Sequence, residues 1–352
     1  MSLTEREIRN KQLVSDRKPI VAEKIKTIPQ RIKDGKSIAL MQLQLSYLCP
    51  LKCRHCAIKK FKENIKEDMS LENIKKIADE AHDYGILAIC ISGGEPLAFP
   101  NISEIIDAIG PERFVLSMDT NGVYLSEDKV KWLVDKGVDR IHLSMDGTEL
   151  NHEQFRNAKG LWGKCVDALQ YTKKYNLGVV VNIVVTKDLI KNDELVKQLE
   201  YLKQFNEHAS LIYAKNVGEF EEAKDQVLDS NDFEYLETLT KKYNCSTHLT
   251  VNNGQDIGCL CYKRHFSILP DGQSLPCPWI PISMGNVLTE GLVTVIERGL
   301  NNPWFSFDNK FTCHSGNSDS FFYQNIVSQI EKFDEYPVPY KKIDWHLEIF
   351  KK

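Results

Sequence analysis

Between residues 41 and 214 the chain alternates two periodicities, and that alternation limits the fold more than any other feature of the sequence. Short runs rich in apolar and β-branched residues occur at 41–47, 86–92, 113–118, 139–145, 178–186 and 209–214. Amphipathic stretches with helical spacing lie between them, at 70–84, 126–136, 163–176 and 191–205. Ser70, Ser126 and Asn192 stand where these helices would begin and are read as N-caps, with Ser70 and Asn73 making half a capping box. Strands that alternate with helices pair in parallel, so the expected fold is α/β: a partial (β/α)6 TIM-like barrel over residues 38–216. In such a barrel the reactive groups collect at the C-terminal ends of the strands.

The segments outside the alternation read differently. Residues 1–37 are polar and helically spaced, and are expected to pack on the barrel as an N-terminal extension. Residues 217–258 read as a connector with one helix, and 259–352 as a C-terminal region with its tail. In that region Asp271-Gly272 separates two short apolar runs, which signals a β-hairpin. No run approaches the roughly 20 apolar residues of a membrane span, and the N-terminus carries no apolar leader, so a cytoplasmic protein with no membrane partner is expected. The net charge of −4 and the lack of a dense basic run speak against a nucleic-acid partner; 59–67 is a small basic spot.

Ten cysteines are many for such a chain, and in a reducing compartment clustered thiols bind metal more often than they pair. Cys49, Cys53 and Cys56 follow the first strand directly. Their spacing also fits a helix face, but Pro50 and the position at a strand end favour a loop wrapped around something. Closely spaced thiolates select zinc, copper(I) or iron–sulfur clusters. Structural zinc wants four ligands, and nothing nearby supplies a fourth except His55, whereas three thiolates on a cubane leave one iron open for chemistry.

This Cys49-x3-Cys53-x2-Cys56 run resembles the signature of the radical S-adenosylmethionine (AdoMet) superfamily. The resemblance implies a 4Fe–4S cluster held by the three cysteines and AdoMet bound at its open iron. One electron would then cleave AdoMet to a 5′-deoxyadenosyl radical. His55, before the third cysteine, takes the place of a residue that lies near the adenine. Ser92-Gly93-Gly94-Glu95-Pro96, after the second strand, resembles the motif that binds the AdoMet amino group. Asn121, after the third strand, and Ser144 with Asp146, after the fourth, match positions that contact AdoMet or its ribose. Arg156 is a candidate partner for the AdoMet carboxylate, because a guanidinium matches a carboxylate bidentately. Residues 181–186 resemble the apolar segment that packs the adenine, and Cys90 and Cys165 read as small buried hydrophobes.

The C-terminal region is similar to the SPASM/twitch extensions of the same superfamily: Cys259, the hairpin, Cys277, then Gly285-Asn286-Val287 and a short helix. A full SPASM domain adds a dense late set of cysteines; here only Cys313 follows, so one auxiliary 4Fe–4S cluster is the most this region should hold. Cys259, Cys261, Cys277 and Cys313 are its implied ligands, although Cys261 does not occupy the usual position; without it, His314 or an open iron would complete the site. Cys245 is read either as a connector residue or as a thiol that donates a hydrogen atom.

The expectation is therefore an enzyme whose radical abstracts hydrogen from a small molecule, such as a sugar or nucleoside, for oxidation, dehydrogenation or rearrangement. An electron donor such as flavodoxin or ferredoxin would serve it. A peptide maturase or epimerase is the first alternative, and a non-catalytic iron–sulfur or zinc protein the second. Only some 40 residues precede the first strand, which is short for a peptide-recognition domain.

Overall fold

The computed structural model describes residues 5–38, 40–215, 217–247 and 257–351. Two N-terminal helices, α1 (Glu5–Arg17) and α2 (Pro19–Lys33), precede the strand–helix alternation. That alternation runs β1 (Leu40–Ser46), α3 (Lys59–Asn64), α4 (Leu71–Tyr84), β2 (Ala88–Gly93), α5 (Ile102–Ile109), β3 (Val115–Thr120), α6 (Glu127–Asp135) and β4 (Arg140–Ser144). It continues through α7 (Glu149–Arg156), α8 (Leu161–Tyr175), β5 (Gly178–Val185), α9 (Lys187–Lys191), α10 (Glu194–Leu202) and β6 (His208–Tyr213). All six expected strands are present and pair in parallel, as the partial barrel requires.

The local signals act as expected at two helix starts. Ser70 and Ser126 accept the Asn73 and Lys129 amides and cap α4 and α6. Asn192 does not cap a helix start: it closes α9, and Asp193, in the left-handed conformation at φ 57°, leads into α10. The pattern at 191–205 masked two short helices whose break falls at that residue.

Beyond residue 216 the alternation does not stop. Helix α11 (Ser230–Lys242) is followed by β7 (Cys245–Thr247), which adds in parallel to β6. The hairpin is β8 (His265–Ile268) and β9 (Ser274–Leu275), and β8 pairs in parallel with β1. The sheet therefore runs β7-β6-β5-β4-β3-β2-β1-β8-β9, and its C-terminal strands extend the barrel rather than forming a separate layer. Strand β10 (Ile282–Ser283), α12 (Val287–Glu290), α13 (Leu292–Leu300), α14 (Phe321–Asn325) and β11 (Val338–Pro339), paired with β10, complete the chain. Among the described residues no helix is long and apolar enough to cross a membrane.

Strand parity separates core from lumen. Met41, Leu43, Ile89, Ile91, Leu116, Ile141, Leu143, Val181 and Leu211 are almost fully buried against the helices. The alternate residues are polar: Gln42, Ser92, Asp119, His142, Asn182 and Ser210 stand on the opposite face.

Helix α2 closes the N-terminal end of the barrel through charged groups that reach into backbone. Lys24 Nζ donates to the Ile86 and Arg113 carbonyls at 2.8 and 2.9 Å. Lys18, which precedes α2, donates to the Phe114 and Gly137 carbonyls and forms a salt bridge with Asp139. Both partners of that bridge are buried, and burial pushes each toward its neutral form while the other holds it charged. Removing one partner strands the other together with two carbonyls. We expect Lys18→Met to lower the unfolding free energy by about 3–5 kcal/mol in chemical denaturation; a loss below about 1 kcal/mol would show that the pair adds nothing to the closure.

Candidate active site

The cysteine loop leaves β1 and is fixed at once by backbone. The Gly94 and Glu95 amides donate to the Ser46 and Leu48 carbonyls, both at 2.8 Å. A Cβ on Gly93 would lie 2.2 Å from the Ser46 oxygen, and one on Gly94 2.1 Å from the Leu48 oxygen. Gly93 also has φ 121°, which side-chain-bearing residues rarely adopt. Only glycines allow the end of β2 to lie against the chain that enters Cys49.

Glu95 is fully buried. Its Oε1 accepts the Leu97 amide and the Thr120 hydroxyl at 3.1 and 2.9 Å, and its Oε2 accepts the Asn121 amide at 2.7 Å. Burial raises its pKa to about 7 against these three bonds. The carboxylate thus ties the β2 end to the β3 end, and the Asn121 side-chain amide lies 3.7 Å from Cys49 Sγ. Pro96 opens the short turn that carries Leu97.

A second hub sits after β4. Asp146 is buried; its Oδ2 accepts Arg156 Nε at 2.7 Å and its Oδ1 accepts the Val184 amide at 2.8 Å. Its own amide donates to His152 Nδ1 at 3.0 Å. Arg156 also bonds the Cys53 thiol. Asp146 and Arg156, read from sequence as separate AdoMet contacts, are thus paired with each other, and Ser144 closes the strand before them.

The loop itself packs on α7. The Arg54 amide donates to the Phe155 carbonyl, and the His55 ring stacks on the Phe155 ring at 4.2 Å and 5°. Burial, with Arg156 close by, pushes His55 down to about 3, so its ring is neutral near pH 7. Burial pushes Cys49 up to about 11 and also raises Cys53, where Arg156 works against it. Three thiols, an arginine and an amide therefore converge, the donor set that an iron–sulfur cluster with hydrogen bonds to its sulfurs would use.

Beside this loop lies a small cleft of about 30 Å³, lined by His55, Val184, Ile212, Val217, Phe220 and Trp279, with Lys215 as its charged residue. Lys215 Nζ donates to the Tyr213 carbonyl and sits 5.0 Å over the Trp279 ring. Phe220, Trp279 and Lys215 carry no sequence signal of this role: Phe220 sits in a charged segment that reads as an exposed connector.

Of the C-terminal thiols, Cys259, Cys261 and Cys277 gather beside β8, the strand next to β1. Cys259 and Cys261 have their sulfurs 3.5 Å apart, and Cys277 bonds Cys261. The bond from Cys261, opposed by burial and helped by His314, holds Cys259 well below the ordinary thiol range, while burial raises Cys261. His314 is anchored by its Nε2 contact of 2.8 Å to the Trp304 carbonyl and stacks on Phe322. Cys313 Sγ lies 4.0 Å from Ser315 Oγ and against Gly316.

Cys245 lies elsewhere. In register it stands beside Ala209, which stands beside Val181 and then Leu143, and all four are 0–1% exposed on the helix-facing side of the sheet. A hydrogen donor would need its sulfur on the lumen face; the thiol of Cys245 is instead core, pushed up to about 12 by burial. Cys165 is buried too, with its sulfur 3.7 Å from the Asn121 carbonyl, whereas Cys90 faces the lumen beside polar groups.

Residues 43–199 match the sequence profile of the Radical SAM superfamily. A probable GTP 3′,8-cyclase of Methanocella arvoryzae is 26% identical over 69% of the chain and 82% of its own length. An AdoMet-dependent heme synthase of Nitratidesulfovibrio vulgaris is 23% identical over 74% and 79%. A PqqA peptide cyclase of Granulibacter bethesdensis is 28% identical over 42% of the chain and 40% of its own length. Among solved structures, Streptococcus suis SuiB bound to its precursor peptide SuiA shares the fold at TM-score 0.60 and 18% identity, over 80% of this chain and 69% of that one.

The buried state of Glu95 carries a pH signature. Its folded pKa of about 7 lies above the unfolded value of 4.5, so its contribution is present in full below about 4.5 and is lost as pH rises through 7. In the metal-free protein, wild type should lose about 3 kcal/mol relative to Glu95→Gln between pH 5 and 8. A difference that stays flat across that range would contradict the assignment.

Proposed function

We propose, from the match of residues 43–199 to the Radical SAM superfamily, that the chain is a member of it and that it oxidises or rearranges a small polar molecule by hydrogen abstraction. The observation that carries this reading is the convergence of Cys49, Cys53 and Cys56 with Asn121 and Arg156 beside a largely apolar cleft. When bound, the 4Fe–4S cluster and AdoMet supply a 5′-deoxyadenosyl radical by one-electron cleavage. Cys49, Cys53 and Cys56 would hold the cluster. Gly93, Gly94, Glu95 and Pro96 would hold the amino-acid end of AdoMet, with Asn121 and Ser144 as further contacts. The flat His55 ring, stacked on Phe155, and the apolar wall of Val184, Ile212 and Phe220 suit a purine base. Asp146 and Arg156 act together: the carboxylate fixes the guanidinium, which also bonds Cys53 and would use its remaining donors for the AdoMet carboxylate.

Cys259, Cys261, Cys277 and Cys313, with His314 or an open iron in place of Cys261, would hold one auxiliary cluster, which would supply an electron acceptor for an oxidation. A donor such as flavodoxin or ferredoxin supplies the first electron. A small substrate is favoured by the polar lumen of Gln42, Ser92, Asp119, His142, Asn182 and Ser210. It is favoured also by the cyclase and heme synthase likenesses, which span most of both chains, against the peptide cyclase likeness, which spans less than half. A peptide substrate is the competing reading.

Reconstituted anaerobically, the wild type should hold about eight irons and release 5′-deoxyadenosine with dithionite. Replacing Cys49, Cys53 and Cys56 together by Ala should leave about four irons and abolish that release; release that persists would overturn the cluster assignment. Cleavage of AdoMet should be stimulated by the low-molecular-weight fraction of a cell extract. Stimulation by the peptide fraction alone would transfer the chain to the competing reading.

A further inference from the structure

The radical site uses the rim of the barrel, but a second set of metal-type donors lies on the lumen floor. Cys90 on β2, Asp119 on β3 and His142 on β4 each offer one atom, and the three atoms lie within 4.8 Å of one another. Register makes this a property of the sheet. Asp119 stands beside His142 on adjacent strands, and Cys90 stands beside Ser117, two residues earlier on the same face of β3. Cys90 Sγ is 3.6 Å from His142 Nδ1, and the same nitrogen is 2.8 Å from Asp119 Oδ1.

We propose that Cys90, Asp119 and His142 bind a divalent zinc-type ion, with a fourth position open to the lumen. A thiolate, an imidazole and a carboxylate suit zinc or cobalt and disfavour magnesium and calcium, which want oxygen ligands throughout. Tetrahedral zinc with bonds of about 2.3 Å to sulfur and about 2.0 Å to nitrogen sets those two atoms about 3.5 Å apart. The observed 3.6 Å meets that spacing. Coordination would widen the nitrogen–oxygen pair from its hydrogen-bond distance by about half an ångström.

An outer shell of the kind that orients metal ligands is in place. Gln42 Nε2 donates to Asp119 Oδ2 at 2.9 Å and lies 3.1 Å from Ser92 Oγ, and the Ser267 hydroxyl donates to Gln42 Oε1. Ser267 comes from β8, so the C-terminal hairpin braces the carboxylate across β1. Three protein ligands plus an open position is the arrangement of catalytic rather than structural zinc. Asp119 and His142 each lie two residues, roughly 6.6 Å of strand, below Asn121 and Ser144 at the rim. An ion there would take a hydroxyl, amine or carboxylate of a molecule in the lumen and orient it toward the rim. The proposal stands on these donors alone and survives if the radical chemistry does not.

The test uses zinc itself. The anaerobically reconstituted enzyme, with its cysteine clusters filled, is dialysed against buffered Zn²⁺ and its zinc and iron are counted. One zinc per chain beyond the iron is expected, with an X-ray absorption first shell of one sulfur and the rest nitrogen or oxygen. Cys90→Ser, Asp119→Asn and His142→Gln should each weaken zinc retention tenfold or more at unchanged iron content. No zinc above background, a shell of three or four sulfurs, or retention unchanged in all three variants would overturn the site. Should a variant fail to fold, the sulfur count in the wild type decides alone.

Discussion

The contact between Gly93-Gly94 and the chain at Ser46–Leu48 is the constraint on which the rest of the site depends. Two oxygens of the chain leaving β1 sit where side chains would otherwise project, so the second strand end can close against the first only through glycine. That closure fixes where Cys49 emerges. It also turns Glu95 inward, where its carboxylate must find donors because burial makes an unpaired charge costly. It finds them on the β2 turn and the β3 end, and Asn121 is thereby carried to Cys49.

The same logic repeats one layer on. Asp146 cannot remain buried without partners, and it takes Arg156 from α7 and the Val184 amide from β5. A helix, two strands and the cysteine loop are locked by one carboxylate, and Phe155 of that helix then supports His55. The rim is thus a chain of buried acceptors, each satisfied by the next strand, rather than a set of independent side chains aimed at a ligand.

The C-terminal region joins this frame by sheet pairing. Because β8 extends β1, the thiols of Cys259, Cys261 and Cys277 are positioned by the same strand that leads into Cys49. Two groups of cysteines far apart in sequence therefore flank one strand. Trp279, just beyond Cys277, reaches the cleft that His55 lines from the other side.

Much of this was legible in the sequence. The period-2 runs, the period-3.6 stretches between them, the Ser70 and Ser126 caps, the Asp-Gly turn and the spacing of Cys49, Cys53 and Cys56 are all set within a few residues of chain, so they are readable without knowing what packs on what. The glycines at 93 and 94 were visible as well, although not the carbonyls that require them. What only the tertiary structure decided depends on partners distant in sequence. Register placed Cys245 on the helix-facing side and Cys90 in the lumen, a distinction that two buried cysteines in apolar runs do not reveal. Burial also made Glu95 and Asp146 links between strand ends, because a carboxylate withdrawn from water must take the nearest donors. The seventh strand, the pairing of β8 with β1, and the cleft wall of Phe220 and Trp279 are all products of chain crossing, and no local pattern encodes them.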